Sequence, residues 1–245
     1  MNSRTAVRTV ARYLAGGAAL AAVGYAAYAA TAWARYGHAR PPRVPEEKDP
    51  FLDELMPHYD IVERHHVQVA APAAITLGAA RDVKLVDSCV VRAIFMGREM
   101  MLGSEPAGPP PPQALLAAAL SMGWGILVND PDREIVLGAV TKPWEANPVF
   151  RALPPSEFVA FAEPGYVKIA WTLRADPIGP SQSIFRTETR AIATDTAARD
   201  KFRCYWAMVS PGVALIRRAM LAPVKADAER RAGATLPSPE VVTMA

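Results

Sequence analysis

The sequence lacks the short motifs that mark the most easily recognised enzyme classes. It contains no GxSxG, HExxH, P-loop or GxGxxG pattern. Nucleophile-elbow hydrolases, zinc proteases, P-loop nucleotidases and dinucleotide-binding dehydrogenases are therefore not indicated, and we expect no cofactor.

Cysteine is also scarce, with Cys89 and Cys204 as the two examples in 245 residues. They show neither the CxxC spacing of metal and redox sites nor the density of a secreted disulfide scaffold. We predict two small buried apolar residues, with a single disulfide between them as the alternative.

An excess of charge of one sign is missing as well. The formal net charge is +3, and acidic and basic residues are interspersed. A nucleic-acid partner is therefore not expected, because such proteins carry a concentrated basic face. The 51% hydrophobic content is instead enough for one well-buried core.

One long uncharged run stands near the N-terminus. Residues 13–33 carry no charge, and 21 helical residues span about 31 Å, the thickness of a bilayer core. Arg12 and Arg35 flank the run, and Tyr13 and Trp33 stand where interfacial aromatic residues usually lie. The pattern predicts a single-pass membrane anchor within residues 1–36.

A cleaved signal peptide is the alternative to this anchor. Ala27-Tyr28-Ala29 resembles a cleavage site, although the apolar run is longer than a usual signal core. Arginines stand on both sides of the run, so the positive-inside rule does not choose a membrane side. The pattern does not define an oligomeric state either.

The remaining chain divides into three parts by composition. Residues 37–50 are proline-rich and polar, which predicts a stiff linker. Residues 51–231 carry the periodic patterns of one α+β domain, and residues 232–245 predict a disordered tail.

Periodicity and breakers predict the order of elements within this domain. A long C-terminal helix carries an apolar stripe, with a kink or a two-piece helix expected at Ser210-Pro211-Gly212. The other predictions are strands at 61–69, 124–128, 134–141, 166–175 and 183–193, helices at 73–82, 87–100 and 113–122, a proline-rich loop at 103–112 and an insertion at 143–164 with a short helix.

This order resembles the SRPBCC, or START-like, helix-grip superfamily. The resemblance rests on Val67-Gln68-Val69-Ala70-Ala71-Pro72 and on the strand-to-helix run at 165–220, and it covers about 59–220. It implies a curved antiparallel sheet that grips the last helix, with an apolar cavity between them. The insertion and a low strand number depart from the pattern. Members include lipid carriers, polyketide cyclases and hydrophobic-ligand receptors, so the fold does not choose a function.

Glu63 and His65 are the candidate catalytic residues. A strand places both on one face and His66 on the other, so the carboxylate could orient the imidazole for acid–base work. Solvent exposure at a strand end is the alternative. A metal site is not expected, because His65 and His66 point in opposite directions.

The candidate ligand-binding residues are aromatic or charged. Arg186 and Glu188 share a strand face with Arg190, either in solvent or inside the cavity, where Arg186 could hold an acidic head group. The other candidates on the strands and helices of the grip are Trp124, Trp171, Phe185, Tyr205 and Trp206, for which core packing is the alternative.

Together these patterns predict a membrane-anchored domain that binds or passes on a hydrophobic small molecule or lipid. A cyclase- or hydratase-like enzyme using Glu63, His65 and Arg186 is the second hypothesis. The third is a non-catalytic interaction module of the cell envelope, which a filled interior would favour.

Overall fold

A computed structural model describes residues 3–84, Gly103 and residues 113–235. The described chain is an α+β structure with an open five-stranded antiparallel sheet and a long C-terminal helix, which confirms the predicted class. The predicted helix at 87–100 lies outside the described residues. The elements are α1 (Ser3–Arg35), a 3₁₀ helix (Pro45–Glu47), α2 (Pro50–Leu55), β1 (Ile61–Val69), α3 (Ala73–Asp82), α4 (Leu115–Ser121), β2 (Gly125–Asp130), β3 (Glu134–Thr141), α5 (Pro155–Ala160), β4 (Val167–Gly179), β5 (Gln182–Ala193) and α6 (Thr196–Thr235).

The strands are arranged in the order β1-β5-β4-β3-β2. The hairpin between β4 and β5 is tighter than predicted, because β4 continues through Pro177 to Gly179 before β5 begins at Gln182. A register irregularity between Pro177 and Gly179 accommodates the proline, which cannot donate a ladder hydrogen bond.

One face of the sheet packs against α3 and α6. Two apolar clusters fill this inner face, because alternate strand residues point to the same side. The first cluster includes Val69, Leu77, Leu137, Trp171, Leu173, Phe185, Met220 and Val224. The second includes Tyr36, Ile61, Val167, Ala191, Phe202 and Trp206.

The opposite, outer face is covered by the chain that precedes β1 and by α5. Leu52 from α2 and Phe158 from α5 pack on Val136 and Val140 of β3. The Arg174 guanidinium donates to the carbonyl oxygens of Glu46 and Lys48 at 3.2 and 2.7 Å. Part of the predicted linker therefore lies against the sheet.

Helix α6 is one continuous helix of 40 residues with Pro211 and Pro223 inside it. The predicted two-piece alternative is wrong. Apolar contacts with the sheet continue on both sides of Pro211, at Trp206 and at Met220, and this packing compensates for the backbone hydrogen bond that proline removes.

Cys204 lies on α6, is exposed and carries no disulfide. The prediction that it is buried is wrong, because it falls between Phe202 and Trp206 on the side of the helix that turns away from the sheet. Cys89 lies outside the described residues.

Helix α1 docks on the domain through its C-terminal third, where the Tyr25 hydroxyl donates to the carbonyl oxygen of Met208 on α6. Ala32 packs against the second cluster, and the Arg203 guanidinium of α6 donates to the carbonyl oxygen of Trp33 at 3.2 and 3.1 Å. Farther from the domain, Tyr13 and Leu20 are 77% and 76% exposed. The uncharged run is therefore helical and mostly uncovered.

Within the described residues, the helix that meets the length and composition of a membrane span is Thr196–Ala234 in α6. The membrane span predicted within residues 1–36 is not supported by this finding. The apolar residues of α6 include Met220, Val224 and Ala228, which are buried against the sheet. Of its most apolar 18-residue window, 28% is buried in the structure.

Candidate functional site

A band of polar residues separates the two apolar clusters on the inner face. On β1 it begins after Ile61, and on β5 it lies between Phe185 and Ala191. Strand register sets Glu63 beside Thr189 and His65 beside Thr187, and Thr189 is in turn paired with Trp171 on β4. We call the following residues the polar band: Glu63, His65, Thr187 and Thr189 from the sheet, with Ser210 and Arg217 from α6.

Four of these side chains have a polar atom without a hydrogen-bonding partner among the residues that the structure describes. Within the described part of the chain, no partner is found for His65 Nε2, Thr187 Oγ1, Thr189 Oγ1 or Ser210 Oγ, although all four atoms are buried. Buried polar groups in native proteins are nearly always paired with protein, water or ligand. The polar band is therefore suited to receive hydrogen bonds from a bound molecule or ordered water.

Glu63 and His65 share the inner face, as the strand pattern predicted, and His66 is exposed on the other face. The side chains of Glu63 and His65 are 22% and 10% exposed, so they are not solvated at a strand end. Glu63 Oε2 and His65 Nε2 are 3.5 Å apart, which is too long for a strong hydrogen bond but close enough to tighten on binding.

Arg217 is a site residue that the sequence analysis did not single out. Its Cζ lies 4.7 Å from the ring centroid of Trp171. Burial lowers the pKa of Arg217 to about 10, although the nearby Glu63 carboxylate acts in the opposite direction. A sequence signal was available, because Arg217 lies four residues after Val213 and three before Met220, on the stripe that faces the sheet.

The aromatic candidates divide between the two clusters. Trp171 and Phe185 are buried in the first cluster, and the ring of the half-buried Trp124 meets Trp171 edge-on at 6.0 Å. Trp206 and Tyr205 belong to the second cluster. Their positions on either side of the polar band agree with core packing, and contact with a ligand stays a prediction.

Arg186 and Glu188 lie on the outer face, away from these aromatic rings. Glu188 accepts from Arg64 at 2.8 and 3.0 Å and from Arg190 at 2.7 Å, and Arg186 donates to Asp176 at 2.8 Å. The predicted environments of Arg186 and Glu188 were solvent and the cavity between sheet and helix. Neither is found, because the N-terminal chain covers the outer face of the sheet. The charges are buried, but outside the space between sheet and α6.

The buried network on the outer face also holds the N-terminal chain. Arg190 is 1% exposed, and its guanidinium donates to the carbonyl oxygen of Met56 at 3.0 Å and pairs with Asp53 at 2.7 Å. Burial opposes the charge of Arg190, but Glu188 and Asp53 raise its pKa above the ordinary value. Its role is therefore to fasten the segment before β1.

A cavity of about 20 Å³ lies within this network, lined by residues that include Arg174, Arg186 and Glu188. Such a volume holds about one water molecule. It has no room for the head group that sequence reasoning assigned to Arg186.

Glu134 and Asp49 form a buried carboxyl pair beside the same network. They are 1% and 2% exposed, and the Glu134 oxygens make no hydrogen bond of good geometry within the described residues. Burial and the adjacent Asp49 raise the pKa of Glu134 to about 10, against the opposing charges of Arg174 and Arg133. These surroundings favour the protonated, neutral form of Glu134.

No protein-family model and no curated protein matches the chain. Among solved structures it is similar to the aromatase/cyclase Zhui from Streptomyces sp. R1128, at 18% identity, with 69% of this chain and 94% of that chain covered and a TM-score of 0.27. Norcoclaurine synthase from Thalictrum flavum matches at 12% identity, 72% and 88% coverage and a TM-score of 0.26. The di-domain aromatase/cyclase BexL of the BE-7585A pathway matches at 13% identity and a TM-score of 0.28, with 69% of this chain covered, and the chain spans 46% of its length. These similarities are too distant to carry an argument about this chain.

Proposed function

We propose that this protein binds an apolar small molecule or lipid between the sheet and α6, and that α1 anchors it to a membrane. The observation that carries the proposal is the polar band, a row of buried and unpaired polar groups between two apolar clusters. An amphipathic ligand would supply hydrogen bonds to the band and apolar surface to the clusters.

The anchor is supported by the exposure of α1. Leu20 and Val23 are 76% and 67% exposed within a helical run of 21 uncharged residues, so the domain leaves this surface uncovered. The hydrocarbon core of a bilayer would cover an uncharged helix of this length, because their lengths match and the helix pairs its own backbone polar groups.

Replacing Leu20 with Arg tests the anchor. The alanine-rich span is marginal, and a central arginine costs about 3 kcal/mol on insertion, so the variant should leave the membrane fraction after alkaline extraction. Val149→Arg, at a position 74% exposed, is the matched control and should stay with the membranes. Retention of Leu20→Arg in the pellet would contradict the anchor.

Native mass spectrometry of the full chain, released from detergent, tests the binding proposal. The expected result is a co-purified small molecule, or a saturable 1:1 adduct with a member of a panel of fatty acids, aromatic acids and phospholipids. A chain that binds none of them at the sheet–helix interface would contradict the proposal and favour the interaction-module hypothesis.

A second candidate function follows from the Glu63–His65 contact, which places a carboxylate 3.5 Å from an imidazole nitrogen. This pair could move a proton on a bound substrate, as a cyclase or hydratase requires. Arg186 has no part in it, because it lies on the outer face. Solvent deuterium incorporated into a bound molecule, and lost in both Glu63→Gln and His65→Gln, would support enzymatic turnover; binding without exchange would oppose it.

A further inference from the structure

Arg217 places a positive charge inside the proposed binding space without a partner of its own. Among the described residues, no hydrogen bond or ion pair to its guanidinium is found. Its side chain keeps some solvent-accessible surface. Burial nevertheless lowers the pKa of the guanidinium more than the nearby Glu63 carboxylate raises it. An anion within hydrogen-bonding distance would stabilise the charged form of a guanidinium in such surroundings.

The face of Trp171 fixes where the guanidinium lies. The Cζ–centroid distance of 4.7 Å is that of a cation–π contact, which holds the guanidinium beside the polar band without using its N–H groups in a hydrogen bond. The N–H groups of arginine form a planar fork that matches the two oxygens of a carboxylate. The geometry therefore suits an anionic group that approaches edge-on.

The neighbours of Arg217 favour one negative charge over two. Glu63 already acts on Arg217 electrostatically, so a phosphate ester with a charge of about −1.5 to −2 would meet more repulsion than a carboxylate. Thr187 and Thr189 add unpaired hydroxyl groups on the sheet side, which can donate to the oxygens of the same head group.

We infer that the ligand is an apolar molecule with a carboxylate, and that Arg217 binds this carboxylate within the polar band. This inference rests on the proposed function and narrows its ligand class. The apolar part of the ligand then lies against the first or second cluster, beside Trp171 or Trp206.

Photo-crosslinking of the full chain in phosphatidylcholine nanodiscs tests the inference. The probes are a C16 fatty acid with a diazirine in its chain, the methyl ester of the same acid, and the corresponding alkyl phosphate. Labelled peptides are mapped by mass spectrometry. The acid should label peptides of β5 and α6 around the polar band, and it should do so more strongly than the ester or the phosphate.

The variant Arg217→Met should lower labelling by the acid about 10-fold or more, since hydrogen bonds to a charged group are the strong ones. Labelling by the ester should not fall. Arg217→Lys keeps the charge without the planar fork and should give an intermediate loss. Arg218→Met, at the exposed neighbouring position, is the matched control and should label like the natural chain.

Three results would overturn the inference, and they are distinguishable. One result is equal labelling of the polar band by the acid and the ester, with the same labelling in Arg217→Met. It would agree with the proposed binding function but contradict the binding of a carboxylate by Arg217. Absence of labelling by all three probes at the band would instead contradict the proposed function itself. Preference for the alkyl phosphate would assign the site to a phosphorylated lipid and overturn the carboxylate.

Discussion

The guanidinium of Arg217 on α6 lies over the ring of Trp171 on β4, with 4.7 Å between Cζ and the ring centroid. This contact joins the helix to the sheet at the edge of the polar band. A charge held against an apolar ring, with no counter-ion in direct contact among the described residues, costs folding stability, and binding sites often retain such costs.

Replacing Arg217 with Met should therefore stabilise the ligand-free protein. Because the side chain keeps some accessible surface, we expect a gain of about 1 to 2 kcal/mol, seen as a higher melting temperature by tryptophan fluorescence. Arg218→Met, at an exposed position, should change stability by less than about 0.5 kcal/mol. A lower melting temperature for Arg217→Met would indicate that the natural arginine is paired.

Thr189 and Thr172 offer a matched comparison of an unpaired and a paired buried hydroxyl. Thr189 Oγ1 is buried without a partner in the described chain, whereas Thr172 Oγ1 accepts from the backbone N–H of Glu188 at 3.1 Å. Thr189→Val should raise the free energy of unfolding of the ligand-free chain, and Thr172→Val should lower it, each by about 1 kcal/mol.

Urea unfolding of the two valine variants in the same detergent measures this difference. If Thr189→Val destabilises the protein as much as Thr172→Val does, the Thr189 hydroxyl is already hydrogen-bonded to ordered water. The polar band would then have fewer free hydroxyl groups for a ligand.

Glu188 should be essential for the stability of the outer face. It is the shared partner of Arg64 and Arg190, and Arg190 is 1% exposed. Glu188→Gln would leave Arg64 without its carboxylate and the buried Arg190 with Asp53 alone, which should cost about 2 to 4 kcal/mol.

Thermal unfolding is the measurement, with Glu163→Gln as its control. Glu163 pairs with Arg151 at 3.0 Å on the surface, where both side chains are about half exposed, and its loss should cost less than about 1 kcal/mol. Equal effects of the two substitutions would show that the Glu188 network contributes no more than a surface pair.

Glu134 predicts a pH dependence of stability. Its folded pKa of about 10 lies above the ordinary value, so between about pH 4.5 and pH 10 the folded state holds a proton that the unfolded state has released. Stability from this group therefore falls as pH rises through that window. Glu134→Gln should be more stable than the natural chain at pH 7, by a margin that grows with pH and vanishes below about pH 4.

Melting temperatures of the Glu134→Gln variant from pH 4 to pH 9 check this sign. Glu54→Gln, at an exposed position of α2, should follow the natural chain throughout. A margin that is constant or shrinks with rising pH would show that Glu134 is ionised in the folded protein.

Local patterns were sufficient for much of the fold. Alternation predicted β1, β3, β4 and β5, and the stripe through Phe202, Trp206 and Met220 predicted that α6 lies on the sheet. These patterns succeed because strand and helix periods determine which residues share a face, before any partner is known.

The same local rules could not assign the charged residues to their surroundings. Alternation placed Arg186 and Glu188 on one strand face, but which face meets α6 depends on the register of β5 with β1 and β4. Arg217 was missed for a related reason, because it stands beside Arg218, and a pair of adjacent arginines is the usual pattern of a solvated helix surface.

By itself, the sequence determined the strands, the helical N-terminal run and the side of α6 that meets the sheet, since each depends on spacing within a short segment. Only the tertiary structure decided that the N-terminal chain covers the arginines of the outer face. It alone brought Glu63, Thr189 and Arg217 together on the inner face, because contacts between residues more than 100 positions apart depend on strand register and helix docking, which no local pattern encodes.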